Sequence, residues 1–174
     1  MAAAVEASSS ISTTIVVLMS DVDVLSLVSL AGGALGAHVR DRLRERGFVG
    51  LSTRHGYVFQ RLQVEPHSIS DLARTLDVTQ QAMSKTVAEL AGSGYVETVA
   101  DPRDARRKSV QLTARARAAI DAARQIRAEL RASVLQHVTV ADVDRAGAVL
   151  TVLLDQLGVG ARIAERSVPD PTEE

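Results

Sequence analysis

Residues 68–112 read Ser68-Ile-Ser-Asp-Leu-Ala-Arg-Thr-Leu-Asp-Val-Thr-Gln-Gln-Ala-Met-Ser-Lys-Thr-Val-Ala-Glu-Leu-Ala-Gly-Ser-Gly-Tyr-Val-Glu-Thr-Val-Ala-Asp-Pro-Arg-Asp-Ala-Arg-Arg-Lys-Ser-Val-Gln-Leu112. Ser68 with Asp71 three residues later has the spacing of a capping box. It predicts a short helix carrying Leu72, Ala73 and Leu76. Asp77-Val78 reads as a tight turn. Thr79 then caps a second helix, with Met83, Val87 and Leu90 on its inner face and Gly92 and Gly94 as its stop. Two short helices joined by a tight turn, the second with a polar exposed N-terminus, form a helix-turn-helix pattern. After Gly94 the period falls to two. Tyr95 to Val99 reads as a strand, 101–107 as a charged turn, and Lys108 to Leu112 as the return strand. A hairpin placed directly after a helix-turn-helix is a wing.

Outward from this module the pattern is helical on both sides. Ser52 caps a helix running through Leu62, and Glu65-Pro66-His67 is a connector, because Pro66 moves its predecessor out of helical geometry. Further upstream, Ser20 and Asp23 open a helix with Leu25, Val28, Gly32, Leu35, Val39 and Leu43 at helical spacing. Arg40, Arg42, Arg44 and Arg46 crowd its last turns, where the helix dipole favours cations, and Gly47 stops it. Downstream, Thr113 starts a long helix with the stripe Ile120, Ala123, Ile126, Leu130 and Val134. Thr139 with Asp142 opens another, carrying Val143, Ala146, Val149, Leu150, Leu153, Leu154 and Leu157 as far as Gly158. The predicted fold is mainly α with a small β wing. Its divisions are a loose extension at 1–20, an N-terminal dimerisation helix at 21–50, a winged helix-turn-helix at 51–112, C-terminal dimerisation helices at 113–158 and a tail at 159–174. Two long apolar terminal helices predict a twofold homodimer.

Composition narrows the function. The 174 residues are 46% hydrophobic and 24% charged, a globular profile, with a net charge of −1. There is no Cys, which removes disulfides, thiolate metal sites and Cys nucleophiles. Aromatics are 2%, too few for stacking platforms that hold single strands. The uncharged run Val24 to Ala37 is too short to span a membrane, and the first Lys or Arg is Arg40, so the N-terminus has no basic signal region. A cytoplasmic protein is expected. Charge is uneven: residues 1–39 hold three acids and no Lys or Arg, whereas residues 101–117 hold six bases against two acids. The four histidines, His38, His55, His67 and His137, lack metal-ligand spacing. Gly32-Gly33-Ala34-Leu35-Gly36 lacks the Lys of a phosphate loop, and no Ser sits in a nucleophile elbow. Neither an enzyme, a cofactor nor a metal is expected.

These residues resemble the MarR family of bacterial transcription regulators. Residues 68–87 look like that family's helix-turn-helix, and Gly94-Tyr-Val-Glu97 is similar to its helix-to-strand transition. Asp101-Pro-Arg103-Asp-Ala-Arg106-Arg107 matches its wing motif Asp-x-Arg-x-x-Arg, and Leu112-Thr113 the start of its long helix. The resemblance covers 51–130. Thr98, Val99 and Ala100 stand where the family often has an Arg, Ala116 replaces a Gly, and Gly56 lies inside an expected helix.

The resemblance implies a homodimer that binds double-stranded DNA, more often as a repressor, with a palindromic operator. In the major groove, Gln80 and Gln81 have the donor and acceptor pair that adenine offers, and Lys85 can donate to guanine or phosphate. Thr79 and Ser84 are short donors suited to phosphates. The wing-tip Arg103 is expected in the minor groove. Arg107 and Lys108 are backbone contacts. Arg106 is either held by Asp101 or Asp104, which would stabilise the wing, or contacts phosphate itself. Many relatives answer to small aromatic effectors, and Arg42, His55, Tyr57 and Phe59 lie in the right part of the chain for such a pocket. Ordinary core is the competing reading for Tyr57 and Phe59, and a satisfied histidine for His55. The alternative function is a winged-helix protein-interaction module without DNA binding.

Overall fold

The computed structural model describes residues 23–101 and 104–158, the backbone alone at Asp101 and at 104–107. The expectations for 1–20, for the tail at 159–174 and for Arg103 lie outside the described residues. The elements in order are α1 (Val24–Glu45), α2 (Thr53–Leu62), α3 (Ile69–Thr75), α4 (Gln80–Gly92), β1 (Val96–Asp101), β2 (Asp104–Leu112), α5 (Ala114–Val134) and α6 (Val140–Gln156). The chain is mainly helical with a two-stranded antiparallel wing, as expected.

The structure divides into two units, one ending at His38 and one starting at Val39. In the first, Asp23 starts α1: its carboxylate accepts from the backbone N–H of Leu25 (2.8 Å) and Ser26 (3.2 Å) and from the Ser26 hydroxyl (2.7 Å). These bonds hold the Asp23 carboxyl below its usual range. Val24, Leu25, Leu30 and Leu35 in this unit are exposed.

In the second unit the cap residues read from the sequence sit where their chemistry is needed. Ser68 accepts from the Asp71 N–H at 3.1 Å, Thr113 from Ala116 at 3.3 Å and Thr139 from Asp142 at 3.2 Å. Gly47 ends α1 at φ +86, and Gly94 ends α4 at φ +73, a backbone conformation costly for other residues. The core draws Val58, Phe59 and Leu62 from α2, Leu72 and Ala73 from α3, and Met83, Val87 and Leu90 from α4. Tyr95, Val96, Val110 and Leu112 close it from the base of the wing, and Ala116 and Ala119 from α5. A second cluster packs Val39 and Leu43 against Ala122 and Ile126.

Two details differ from expectation. The strands run past the expected turn at 101–107: Ala100 pairs with Lys108, the register then slips, and Asp101 pairs with Asp104. Charged residues read as a loop are thus strand residues of a ribbon. On α5 the fully buried residues are Ala116, Ala119, Ala122 and Ile126; of the expected stripe, Ile126 is buried, Ile120 and Ala123 are half-buried against the two clusters, and Val134 is exposed.

Candidate nucleic-acid interface

The geometry of α4 follows from its cap and its buried stripe. Thr79 Oγ1 accepts from the Ala82 N–H at 3.1 Å and fixes the first turn. Met83, Val87 and Leu90 are buried and set the roll of the helix. Thr86 is buried as well, its hydroxyl donating to the Ala82 carbonyl at 3.1 Å. What remains outward is Thr79, Gln80, Gln81, Ser84 and Lys85, all exposed. They are polar, carry no acid, and lie at the positive end of the helix dipole. The preceding turn is tight: Asp77 takes φ +55 and the Val78 N–H donates to the Ala73 carbonyl at 3.0 Å.

The wing is anchored at its base. His67 and Val110 exchange backbone hydrogen bonds at 3.2 and 2.8 Å, joining the connector after α2 to β2. The Thr113 hydroxyl donates to the Gly94 carbonyl at 2.7 Å, and the Tyr95 hydroxyl to the Val49 carbonyl at 2.9 Å. Lys108 is exposed on β2. Asp101 and Asp104 are ladder partners, and Arg106 and Arg107 follow on β2. Arg115, one of the bases of the 101–117 segment, serves packing instead. Its guanidinium lies 5.0 Å from the Tyr95 ring centroid and 5.9 Å from that of Phe48, and it donates to the Gly47 carbonyl at 2.9 Å.

The four residues singled out for an effector have different surroundings. Arg42 is exposed and pairs with Glu45 at 2.6 Å. Tyr57 is exposed. Phe59 is core, its ring 5.9 Å from that of Tyr95. His55 is buried, and its Nε2 faces Glu89 of α4 at 3.6 Å. Glu89 also pairs with Arg54 at 2.7 Å. Sequence reasoning missed Arg54 and Glu89. The available signal was Ser52-x-x-His55, capping-box spacing with histidine in the place of Glu or Gln.

Among the described residues, no group of three His, Asp or Glu side chains could hold a metal ion, and no helix is long and apolar enough to cross a membrane.

Residues 49–107 match the family model described as MarR family. A transcriptional regulator, AdcR of Streptococcus pneumoniae, is 38% identical over 69 residues; the match covers 40% of this chain and spans 47% of that regulator. The solved structure of YusO from Bacillus subtilis superposes with a TM-score of 0.60 at 19% identity, covering 79% of this chain and 95% of the other. The S. aureus MepR–DNA complex gives 0.57 at 18% identity, covering 78% of this chain and 96% of the other. At these identities the solved structures attest the fold, and the family match lies on the module with the exposed polar helix and the ribbon. The similarity to the MarR family thus falls on the winged helix-turn-helix of this chain, about a third of its length.

Proposed function

We propose that the protein is a sequence-specific regulator of transcription that binds double-stranded DNA as a homodimer. The observation that carries this reading is the outward face of α4: Thr79, Gln80, Gln81, Ser84 and Lys85 are exposed together, directly before a ribbon whose second strand is rich in Arg and Lys. Glutamines read base edges, short hydroxyls and Lys hold phosphates, and Arg103 of the ribbon enters the minor groove. Arg107 and Lys108 bind the phosphate backbone. The MepR–DNA complex supports a DNA partner for this fold.

The dimer reading rests on exposed apolar side chains, Val149, Leu150 and Val152 of α6 and Leu157 at its C-cap, on a helix that buries no residue within the protomer. Twofold symmetry then requires a palindromic operator, with half-sites roughly 10 base pairs apart. Repression, and release by a small aromatic effector, follow from the family resemblance alone. A regulator of this kind acts in the cytoplasm.

The test is selection of duplex DNA from a random pool, followed by titration of wild type and Arg103→Ala at two salt concentrations. A palindromic winner, steep salt dependence and weaker binding by the variant are expected. Failure to enrich any sequence turns the reading to a protein-interaction module.

A further inference from the structure

Helices α2 and α4 meet at a buried histidine, one turn beyond Lys85 along α4. The His55 side chain is 5% exposed. Its Nδ1 accepts the backbone N–H of Ser52 at 3.2 Å. The proton of the neutral ring is therefore on Nε2, which has no hydrogen-bond partner among the described residues and faces Glu89 Oε2 at 3.6 Å. The same carboxylate oxygen accepts from Arg54 at 2.7 Å. His55 thus performs at the third position of α2 the task that Glu or Gln performs in a capping box: it covers the N–H of the cap residue.

That task needs the Nδ1 lone pair, and a second proton removes it. In the imidazolium, Nδ1–H points at the Ser52 N–H, donor against donor. Nε2–H at the same time gains attraction to Glu89, which Arg54 already engages. The groups facing the ring are Arg54 on its own helix, Glu89 on α4 and the Gly50 backbone in the preceding loop. Burial and then the Arg54 charge hold the ring below the usual imidazole range; Glu89 and Gly50 oppose them and lose.

We propose that His55, with Arg54 and Glu89, forms a proton-sensitive joint beside α4, the helix proposed to read DNA: the neutral ring caps α2 through Ser52, and the protonated ring gives up that cap and turns to Glu89 of α4. The proposal rests on the DNA-binding function proposed above for its consequence, but the joint itself is observable without DNA. The experiment compares wild type, His55→Gln and Glu89→Gln between pH 7.5 and 5.5. The glutamine of His55→Gln can accept the same Ser52 N–H and cannot titrate. With the duplex enriched from a random pool, wild type is expected to lose affinity progressively on acidification, up to about fivefold once the ring is fully protonated, the scale of one lost cap bond, while His55→Gln stays flat. In the free proteins, amide exchange corrected for its intrinsic pH dependence is expected to accelerate in the first turn of α2 for wild type and not for His55→Gln. The His55 ring, followed by NMR, should titrate at lower pH in Glu89→Gln. Equal exchange behaviour of wild type and His55→Gln overturns the joint, as does an unmoved ring titration in Glu89→Gln. If no duplex is enriched while the exchange difference is present, the DNA reading fails and the joint stands. If DNA binds but both proteins share one pH profile, the joint does not govern binding and the proposal is overturned.

Discussion

Thr79 has two tasks that ordinary substitutions confound, and three replacements at this position separate them. As the cap of α4 it accepts the Ala82 N–H at 3.1 Å. As an exposed residue at the start of α4 it is proposed to face a DNA phosphate. Thr79→Ala removes the cap, which costs about 1 kcal/mol. For a chain of this size that lowers Tm by about 2–4 °C. It also removes the hydroxyl from the interface, so loss of DNA affinity by this variant alone is ambiguous. Thr79→Ser retains both tasks and should match wild type in both measurements. Thr79→Asp retains the cap, since Asp is as good a cap as Ser and its charge suits the positive end of the helix dipole. Its stability should equal or exceed that of wild type. At the interface, however, the carboxylate meets a phosphate. Two like charges 4–5 Å apart repel by roughly 3–4 kcal/mol at an effective dielectric near 20, before salt screening. A loss of about tenfold or more in affinity is therefore expected after screening, larger at low salt. Urea denaturation gives the first quantity and titration of a fluorescent duplex the second. If Thr79→Asp is destabilised as much as Thr79→Ala, the cap geometry is wrong. If it is stable and binds DNA like wild type, Thr79 does not face the phosphates and the proposed docking of α4 is refuted.

Other perturbations test the remaining parts. Leu90, 1% exposed between α4 and the rest of the core, should cost roughly 3 kcal/mol on replacement by Ala, read as a lower urea midpoint with unchanged slope. Tyr95→Phe removes the bond to the Val49 carbonyl and should cost about 1 kcal/mol without changing the fold; no change in stability would leave that bond without weight. Because the His55 pKa is depressed in the folded state, the unfolded chain binds more protons between that lowered value and 6.5, so stability should rise with pH through this window and be fully present above it. Urea titrations at pH 5, 6 and 7.5 should show that slope in wild type, and His55→Gln should lack its share. The double variant Val149→Glu/Val152→Glu alters two exposed positions of α6 and should leave protomer stability within about 0.5 kcal/mol, while sedimentation should show the dimer dissociating.

The helix-turn-helix was legible because each of its signals is local and chemical. Ser68, Thr79 and Thr113 cap where their side chains can reach an open N–H, and Met83, Val87 and Leu90 fall on one face at helical spacing. The wing was legible in existence but not in extent. Residues 104–108 carry a single apolar side chain, Ala105, so the alternation that marks a half-buried strand is missing there. Pairing continues in the ribbon all the same, since backbone hydrogen bonds do not require an apolar face. The buried stripe of α5 is obscured for the opposite reason. Alanine occurs at so many positions that several faces qualify, and Ala116, Ala119 and Ala122 join Ile126 on the buried face, where periodicity marks only the larger residues. The joint at His55 is hidden by residue type. Histidine is not the usual third residue of a capping box, and Glu89 lies 34 positions away, beyond any local pattern.

Helix α6 bears on the quaternary reading in a way that composition could not. It has 17 residues, and Asp142 returns a bond to the Thr139 N–H at 3.0 Å while accepting one from Arg145, so its first turn is well capped. Capping offsets only part of the cost of a helix nucleus, and isolated helices of this length are marginal in water. Helices in folded proteins owe most of their stability to an apolar face buried against something else. Within the protomer α6 buries no residue, yet Val149, Val152 and Leu157 are at least 60% exposed. A sequence shaped only for a lone protomer gains nothing from branched aliphatic residues on the surface of its last described helix. A second copy of the chain, as proposed, would supply the missing surface under the same twofold symmetry that two copies of α4 would need to read one duplex. The apolar face and the polar face of this protein are, on that argument, two requirements of one act of binding.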